Sequence, residues 1–141
     1  YLSIRHSPAY TSQEIAAAAH VRGKNFAKTV VLKVDGKICL AALPANYKID
    51  FIILQKVLGA ERVRLANETE FKDKFPGCEV GAMPPFGNLY GMDVFVAASL
   101  VEDEEIAFNA GTHTEIIKMQ FKDFERLAHP KILRFSEKVL T

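Results

Sequence analysis

The stretch "FAKTVVLKVDGKICLAALP", residues 26–44, restricts the fold more than any other part of the chain. Two runs rich in β-formers flank the pair Asp35-Gly36. That dipeptide accepts the positive φ angles demanded by a tight two-residue hairpin, so the two runs are expected to pair antiparallel. A core built on a local hairpin differs from a doubly wound sheet, whose neighbouring strands are parallel and need long crossovers. The chain is therefore read as an α/β domain with a mixed, hairpin-rich sheet.

The other elements fit around this pair. "TSQEIAAAAHV" (11–21) opens on capping residues and runs into alanines, which predicts a helix. "KIDFIILQKVLG" (48–59) has apolar residues at helical spacing and a glycine stop. "RVRLA" reads as a short strand. "NETEFKDKF" reads as a helix capped by Asn67, with Glu70 three residues on. "MDVFVAASL" reads as a buried strand, and "EIAFNAG" and "HTEIIKMQF" as a strand pair turning at Asn109-Ala110-Gly111. "FKDFERLA" (121–128) is expected to be the last helix, before a tail with no clear pattern.

With 141 residues, 49% hydrophobic and 25% charged, the chain has the composition of one ordinary globular domain. It lacks both an apolar run of about 20 residues and a secretory h-region, so no membrane partner and a cytoplasmic location are expected. Cys39 and Cys78 form no CxxC or Cys/His spacing, which fits a reducing compartment better than a disulfide scaffold or zinc site. The net charge of +1 is unevenly distributed. Residues 1–64 carry ten Lys/Arg against four Asp/Glu (+6), and residues 65–141 carry eight against thirteen (−5). Such a split gives either a mixed surface after folding or one basic face for a polyanion such as RNA.

The signatures of several enzyme classes are missing. There is no G-x-S-x-G, Walker loop, H-E-x-x-H or dinucleotide fingerprint. His6, His20, His113 and His129 are scattered without metal-ligand spacing, so neither a metal nor another cofactor is expected. Three stretches could bear chemistry. In "FAKTVVLK", strand alternation places Lys28 on one face with Phe26 and Val30, either at the sheet rim or facing a pocket. In "GAMPPFG" (81–87), Pro84 and Pro85 stiffen a loop whose donors are the N–H groups of Gly81, Ala82, Met83, Phe86 and Gly87. A stiff loop with free donors can hold an anion or a developing oxyanion, or it can be a plain turn. In "FNAGTHTE" (108–115), a glycine turn at Gly111 brings His113 to the start of a strand.

An Ala-Lys-Thr strand after an Ala-rich helix, then "LPANYKID", a G-x-x-x-P-x-G loop and a late "NAGTH" turn occur in this order. The ordered set resembles the YbaK/ProX family, the editing domains associated with prolyl-tRNA synthetase, over most of the chain from His6 to about Ala128. The resemblance implies a single YbaK-like domain over residues 1–141, with a barrel-like mixed sheet and surrounding helices. It also implies a freestanding hydrolase that acts on mischarged tRNA, with prolyl-tRNA synthetase as a candidate partner and no role for DNA. By position, the family's lysine matches Lys28, its loop matches Gly81, Pro85 and Gly87, and the Gly-x-His turn of alanine-specific relatives matches Gly111 and His113. Many relatives carry an acidic residue in the strand after the loop, where this chain has Ala97 and Ala98.

An aminoacyl ester is already activated, so its hydrolysis needs positioning, a polarised carbonyl and a placed water. On this reading the loop N–H groups meet the carbonyl or its oxyanion, and the backbone or side chains of Ala82, Met83, Pro85 and Phe86 line the substrate. Lys28 holds the carbonyl or the phosphate–ribose end, and His113 walls the amino-acid pocket. Gly81 and Gly87 are expected to adopt positive φ or to let the substrate approach closely, and Arg22 and Lys24 to contact tRNA. The expected substrate is tRNA-Pro carrying a small wrong residue such as Ala or Cys. The alternatives are a non-catalytic tRNA- or synthetase-binding module and a small-molecule hydrolase.

Overall fold

The computed structural model describes residues 26–71, 73–75, 83–101, 105–111 and 115–139, together with the backbone of residues 2–5. The helix expected over 11–21 lies outside these residues, as do Arg22, Lys24, Gly81, Ala82 and His113.

The central hairpin forms as expected. Strands β2 (Ala27–Val34) and β3 (Lys37–Pro44) pair antiparallel without a bulge, from Ala27 opposite Pro44 to Val34 opposite Lys37. (The first strand, β1, is Leu2–Arg5.) Asp35 and Gly36 take φ angles of 47° and 87°, the left-handed region a two-residue turn requires. The Asp35 carboxylate also accepts the N–H groups of Glu61 and Arg62 at 3.0 and 2.8 Å. This fixes the approach to β5 (Val63–Leu65), which pairs antiparallel with the C-terminal part of β2.

The sheet becomes mixed on its other side. β6 (Val94–Ala97) runs parallel to β3, and β9 (Lys131–Leu133) runs parallel to β6, giving the order β5-β2-β3-β6-β9. A second, antiparallel sheet has the order β1-β8-β7, with β7 at Glu105–Asn109 and β8 at Glu115–Gln120. A parallel bridge from Phe26 to Ala107 joins the two sheets at the start of β2. The patternless tail supplies β9 and also β10 (Ser136–Lys138), which pairs with β4 (Tyr47–Ile49).

Helix α1 spans Phe51–Leu58, three residues shorter at its start than the sequence pattern predicts. Asp50 sets the boundary, because its carboxylate accepts the N–H groups of Ile52 and Ile53, both at 3.1 Å. Gly59, at φ 64°, ends the helix. The short helix α2 (Glu68–Phe71) carries the expected reciprocal cap: Glu70 N–H donates to Asn67 Oδ1 at 3.1 Å, and Asn67 N–H to Glu70 Oε1 at 3.0 Å. The stretch read as one strand to Leu100 instead leaves the sheet after Ala97 and forms a helical turn, α3 (Ala98–Val101). Helix α4 (Phe121–Ala128) buries Phe121, Phe124 and Ala128, which fall on one side of a 3.6-residue period.

Two cores result, one on each face of the five-stranded sheet. Ala27, Val31, Leu40, Ala42, Val94 and Val96 pack with Ile106, Phe108 and Phe124, so strands of both sheets line one core around α4. That shared core is what a barrel-like arrangement requires. On the opposite face, Leu32, Ala41, Leu43, Phe95 and Ala97 pack with Leu54 of α1 and with Phe135. Each such phenylalanine or leucine is worth roughly 1.5–3 kcal/mol of burial, which makes the sheet a stiff platform for whatever stands at its edges. Among the described residues no helix is long and apolar enough to cross a membrane.

Candidate active site

Lys28 lies at the start of β2, opposite Leu43. The unbroken ladder makes alternation reliable here: Ala27 and Val31 enter one core, while Lys28 shares the other face with Val30 and Leu32. The side chain is half-buried and makes no hydrogen bond or ion pair among the described residues. Burial lowers its pKa from the ordinary lysine value, since desolvation penalises the cation. Such an ammonium is available to a ligand with negative charge or a strong acceptor.

The described part of the proline loop is a built piece of core. Met83 and Pro85 are buried, and the Phe86 ring lies 5.4 Å from that of Phe108 and 5.6 Å from that of Phe124. The Phe86 N–H donates to the Pro84 carbonyl at 2.8 Å, a three-residue turn around Pro85. One of the five expected donors is therefore already used. The N–H groups of Met83 and Gly87 have no acceptor among the described residues.

Gly87 departs from expectation in its reason for being glycine. Its φ is not positive, and the positive-φ glycine of this segment is Gly91, at 70°. A Cβ on Gly87 would stand 2.7 Å from Val94 Cγ2, 2.9 Å from the Met92 carbonyl oxygen and 3.4 Å from Leu40 Cδ1. The residue opens a 3-10 turn (Gly87–Tyr90), and its carbonyl accepts the Met92 N–H at 2.9 Å. What approaches its Cα is thus the protein's own core, packed against β6 and β3.

The third stretch places Gly111 as predicted in a turn, buried and at φ 95°. The Ala110 N–H donates to the Glu115 carbonyl at 3.1 Å and closes that turn. The residue that sequence reasoning passed over is Asn109, at the end of β7. It is 7% exposed, and its Oδ1 is buried without a hydrogen-bond partner. A polar residue ending the otherwise apolar run "IAFN" was the available signal.

Strand geometry relates these pieces. Met83 and Phe86 pack into the core on the Ala27 face, whereas Lys28 emerges on the other face. Lys28 and Asn109 hold matching positions: each lies two residues beyond the parallel Phe26–Ala107 bridge. A cleft of about 240 Å³ lined by Ala98, Ser99, Arg134 and Ser136 opens at the same end of the sheet, just beyond the Ala97–Leu133 pair. A larger one, about 490 Å³, lies at the opposite end beside the hairpin turn, with Lys37, Lys74 and Asp93 on its walls.

A family model described as an aminoacyl-tRNA editing domain matches residues 6–127. The multifunctional Ser/Thr-tRNA deacylase ProXp-y of Escherichia coli (strain K12) is 33% identical over 127 residues, covering 84% of this chain and 75% of that protein. A proline–tRNA ligase of Bacillus mycoides (strain KBAB4) is 27% identical over 104 residues, which are 72% of this chain but 18% of the ligase. The crystal structure of a candidate trans-editing enzyme for prolyl tRNA synthetase superposes with a TM-score of 0.84 over 96% of this chain and 85% of that one. At 18% identity, that likeness establishes the fold.

Proposed function

Because the chain belongs to the aminoacyl-tRNA editing domain family, whose members include a deacylase 33% identical to it, we propose that it removes a small, wrongly attached amino acid from tRNA in trans. Its class of activity is hydrolysis of the aminoacyl-tRNA ester. Seryl and threonyl esters are the first candidates, on the strength of the named Ser/Thr-tRNA deacylase. Alanyl and cysteinyl esters of tRNA-Pro follow from the resemblance of the lysine, loop and glycine turn. The likeness to part of a proline–tRNA ligase supports prolyl-tRNA synthetase as a partner.

The observation that carries this reading is the half-buried ammonium of Lys28, which has no partner among the described residues. Water adds to the ester carbonyl carbon, and the carbonyl electron pair moves onto oxygen. Collapse of that tetrahedral species breaks the bond to the ribose oxygen, which receives the proton that the water gives up. The products are a free amino acid and deacylated tRNA. Lys28 supplies positive charge where the oxyanion develops, from a half-buried position that water screens less than the open surface. The N–H groups of Gly81 and Ala82, at the start of the loop, are the further donors in this scheme. Gly111 and His113 shape the amino-acid pocket, and Arg22 and Lys24 meet the tRNA backbone.

The test is a panel of seryl-, threonyl-, alanyl- and cysteinyl-tRNA, each assayed for deacylation by the full chain beside correctly charged prolyl-tRNA. Hydrolysis of at least one mischarged member with the prolyl ester spared is the expected result. A chain that binds the panel but hydrolyses none of it is a binding module.

A further inference from the structure

Asn109 has no role in the reading above, yet it is the one buried polar or charged residue among the described residues. A buried amide normally finds a partner, and one without a partner calls for an explanation in ligand binding or catalysis. The Oδ1 of Asn109 is sealed from solvent and unbonded, and the amide has no other hydrogen bond among the described residues.

Its position comes from the strand register. The Phe26–Ala107 bridge is parallel, and one residue further on Ala27 and Phe108 both enter the core around α4. One residue beyond those, Lys28 and Asn109 both turn to the other face. The two polar side chains, neither with a hydrogen-bond partner among the described residues, therefore lie on the same face, each two residues past the bridge that joins the two sheets. Gly111, at φ 95°, turns the chain immediately after Asn109.

We infer that Asn109 is a substrate-binding residue of the deacylation site, its side-chain Nδ2 donating to the ester carbonyl oxygen beside Lys28. With Oδ1 sealed, the donor end of the amide is the end left to meet a ligand. Next to a lysine cation, a donor attracts the same kind of partner as the lysine does: an oxygen gaining negative charge. An ammonium group on the substrate would be repelled from that spot. A fixed amide donor aimed at an oxyanion is a known way to lower a tetrahedral barrier, because it needs no reorganisation during the step. The inference rests on the deacylase reading and adds a second, uncharged donor to it.

The experiment compares wild type, Asn109→Leu and Asn109→Asp by thermal melting and by single-turnover deacylation of the best substrate from the panel. Leucine keeps the approximate shape and removes an amide that has no bond to lose. Asn109→Leu should therefore melt at or above the wild-type temperature while deacylating about 10²–10³-fold more slowly. Asn109→Asp should also be slow, because a carboxylate there pairs with Lys28 and opposes the oxyanion. Normal deacylation by a folded Asn109→Leu overturns the inference. So does a marked fall in melting temperature in both variants, which would make the amide structural. A wild type that hydrolyses nothing in the panel removes the deacylase reading and this inference with it. An active wild type alongside equally active variants removes the inference alone.

Discussion

Lys28 and Lys33 stand on the same strand, on opposite faces, in opposite circumstances. Lys33 Nζ lies 2.7 Å from Glu70 Oε2, and Arg64 grips the same carboxylate through Nη1 and Nη2 at 2.7 and 2.8 Å. That carboxylate also closes the N-terminal cap of α2 through the Asn67 N–H. Lys28 has none of this: it is half-buried with its ammonium unengaged among the described residues. The paired lysine ties β2 and β5 to α2 and belongs to the stability of the fold. Lys28, without a partner among the described residues, draws no such support from the fold and bears a desolvation cost instead.

The sharpest way to break this comparison is to replace each lysine by methionine, which keeps most of the apolar stem. Lys28→Met should lower single-turnover deacylation by about 10²-fold or more while leaving the melting temperature unchanged or raised. Lys33→Met should do the reverse, with normal turnover and a modestly lower melting temperature, as one arm of the Glu70 cluster is lost. If Lys33→Met cost as much activity as Lys28→Met, pairing would not separate the working lysine from the structural one.

Gly87 sharpens the same contrast from the loop. The sequence singles it out as a catalytic glycine, whereas its packing places it with the structural residues. Gly87→Ala forces a methyl group against Val94 Cγ2 and the Met92 carbonyl oxygen, at ideal distances of 2.7 and 2.9 Å. Neither neighbour gives way freely, because Val94 lies in β6 and Met92 is held through its N–H by Gly87 itself. The substitution should cost about 1–3 kcal/mol of stability, as overpacking does elsewhere. It can be read from urea midpoints. Any loss of turnover should shrink when the assay is run well below the melting temperature. Full stability with lost turnover would return Gly87 to the substrate side.

These cases show what the chain reveals unaided. The Asp35-Gly36 turn, the Asn67/Glu70 cap and the buried face of α4 were legible because each depends on neighbours a few residues away. The parallel pairings of β3, β6 and β9 were not, since they join residues far apart and the tail carries no alternation. The start of α1 was misplaced for a local reason: Asp50 captures two N–H groups and leaves Tyr47–Ile49 free to pair with β10. Around the candidate site, the strand that carries Lys28 and the turn at Gly111 were legible from the local pattern, whereas the matching position of Asn109 appears only through the long-range Phe26–Ala107 bridge. At Gly87 the sequence suggests positive φ or a close approach of substrate, whereas φ is not positive and the space is taken by Val94, Met92 and Leu40. Whether a glycine serves torsion or space depends on what lies across from it, and a sequence does not carry that.

The smallest predicted effect concerns the paired side of the comparison and appears in acid. Hydrogen bonds from Arg64, then Lys33, then the Asn67 N–H hold the Glu70 carboxyl well below the usual carboxylate range. The ordinary, unfolded value is about 4.3, so the folded state binds this proton less readily than the unfolded state does. Stability from the cluster is therefore fully present above that ordinary value and is lost progressively as the pH falls below it towards the depressed folded value. Glu70→Gln keeps an oxygen for the Asn67 N–H but removes the charge and its titration. Wild type should thus lose more of its urea midpoint between pH 6 and pH 3 than Glu70→Gln does, and the two curves should converge at the acid end. Lys33→Met should fall between them, because Arg64 still holds the carboxylate. Parallel curves for wild type and Glu70→Gln would mean that the ion pairs contribute nothing measurable, as is common where Arg64 and Lys33 reach solvent. The contrast between the lysines would then rest on Lys28 alone.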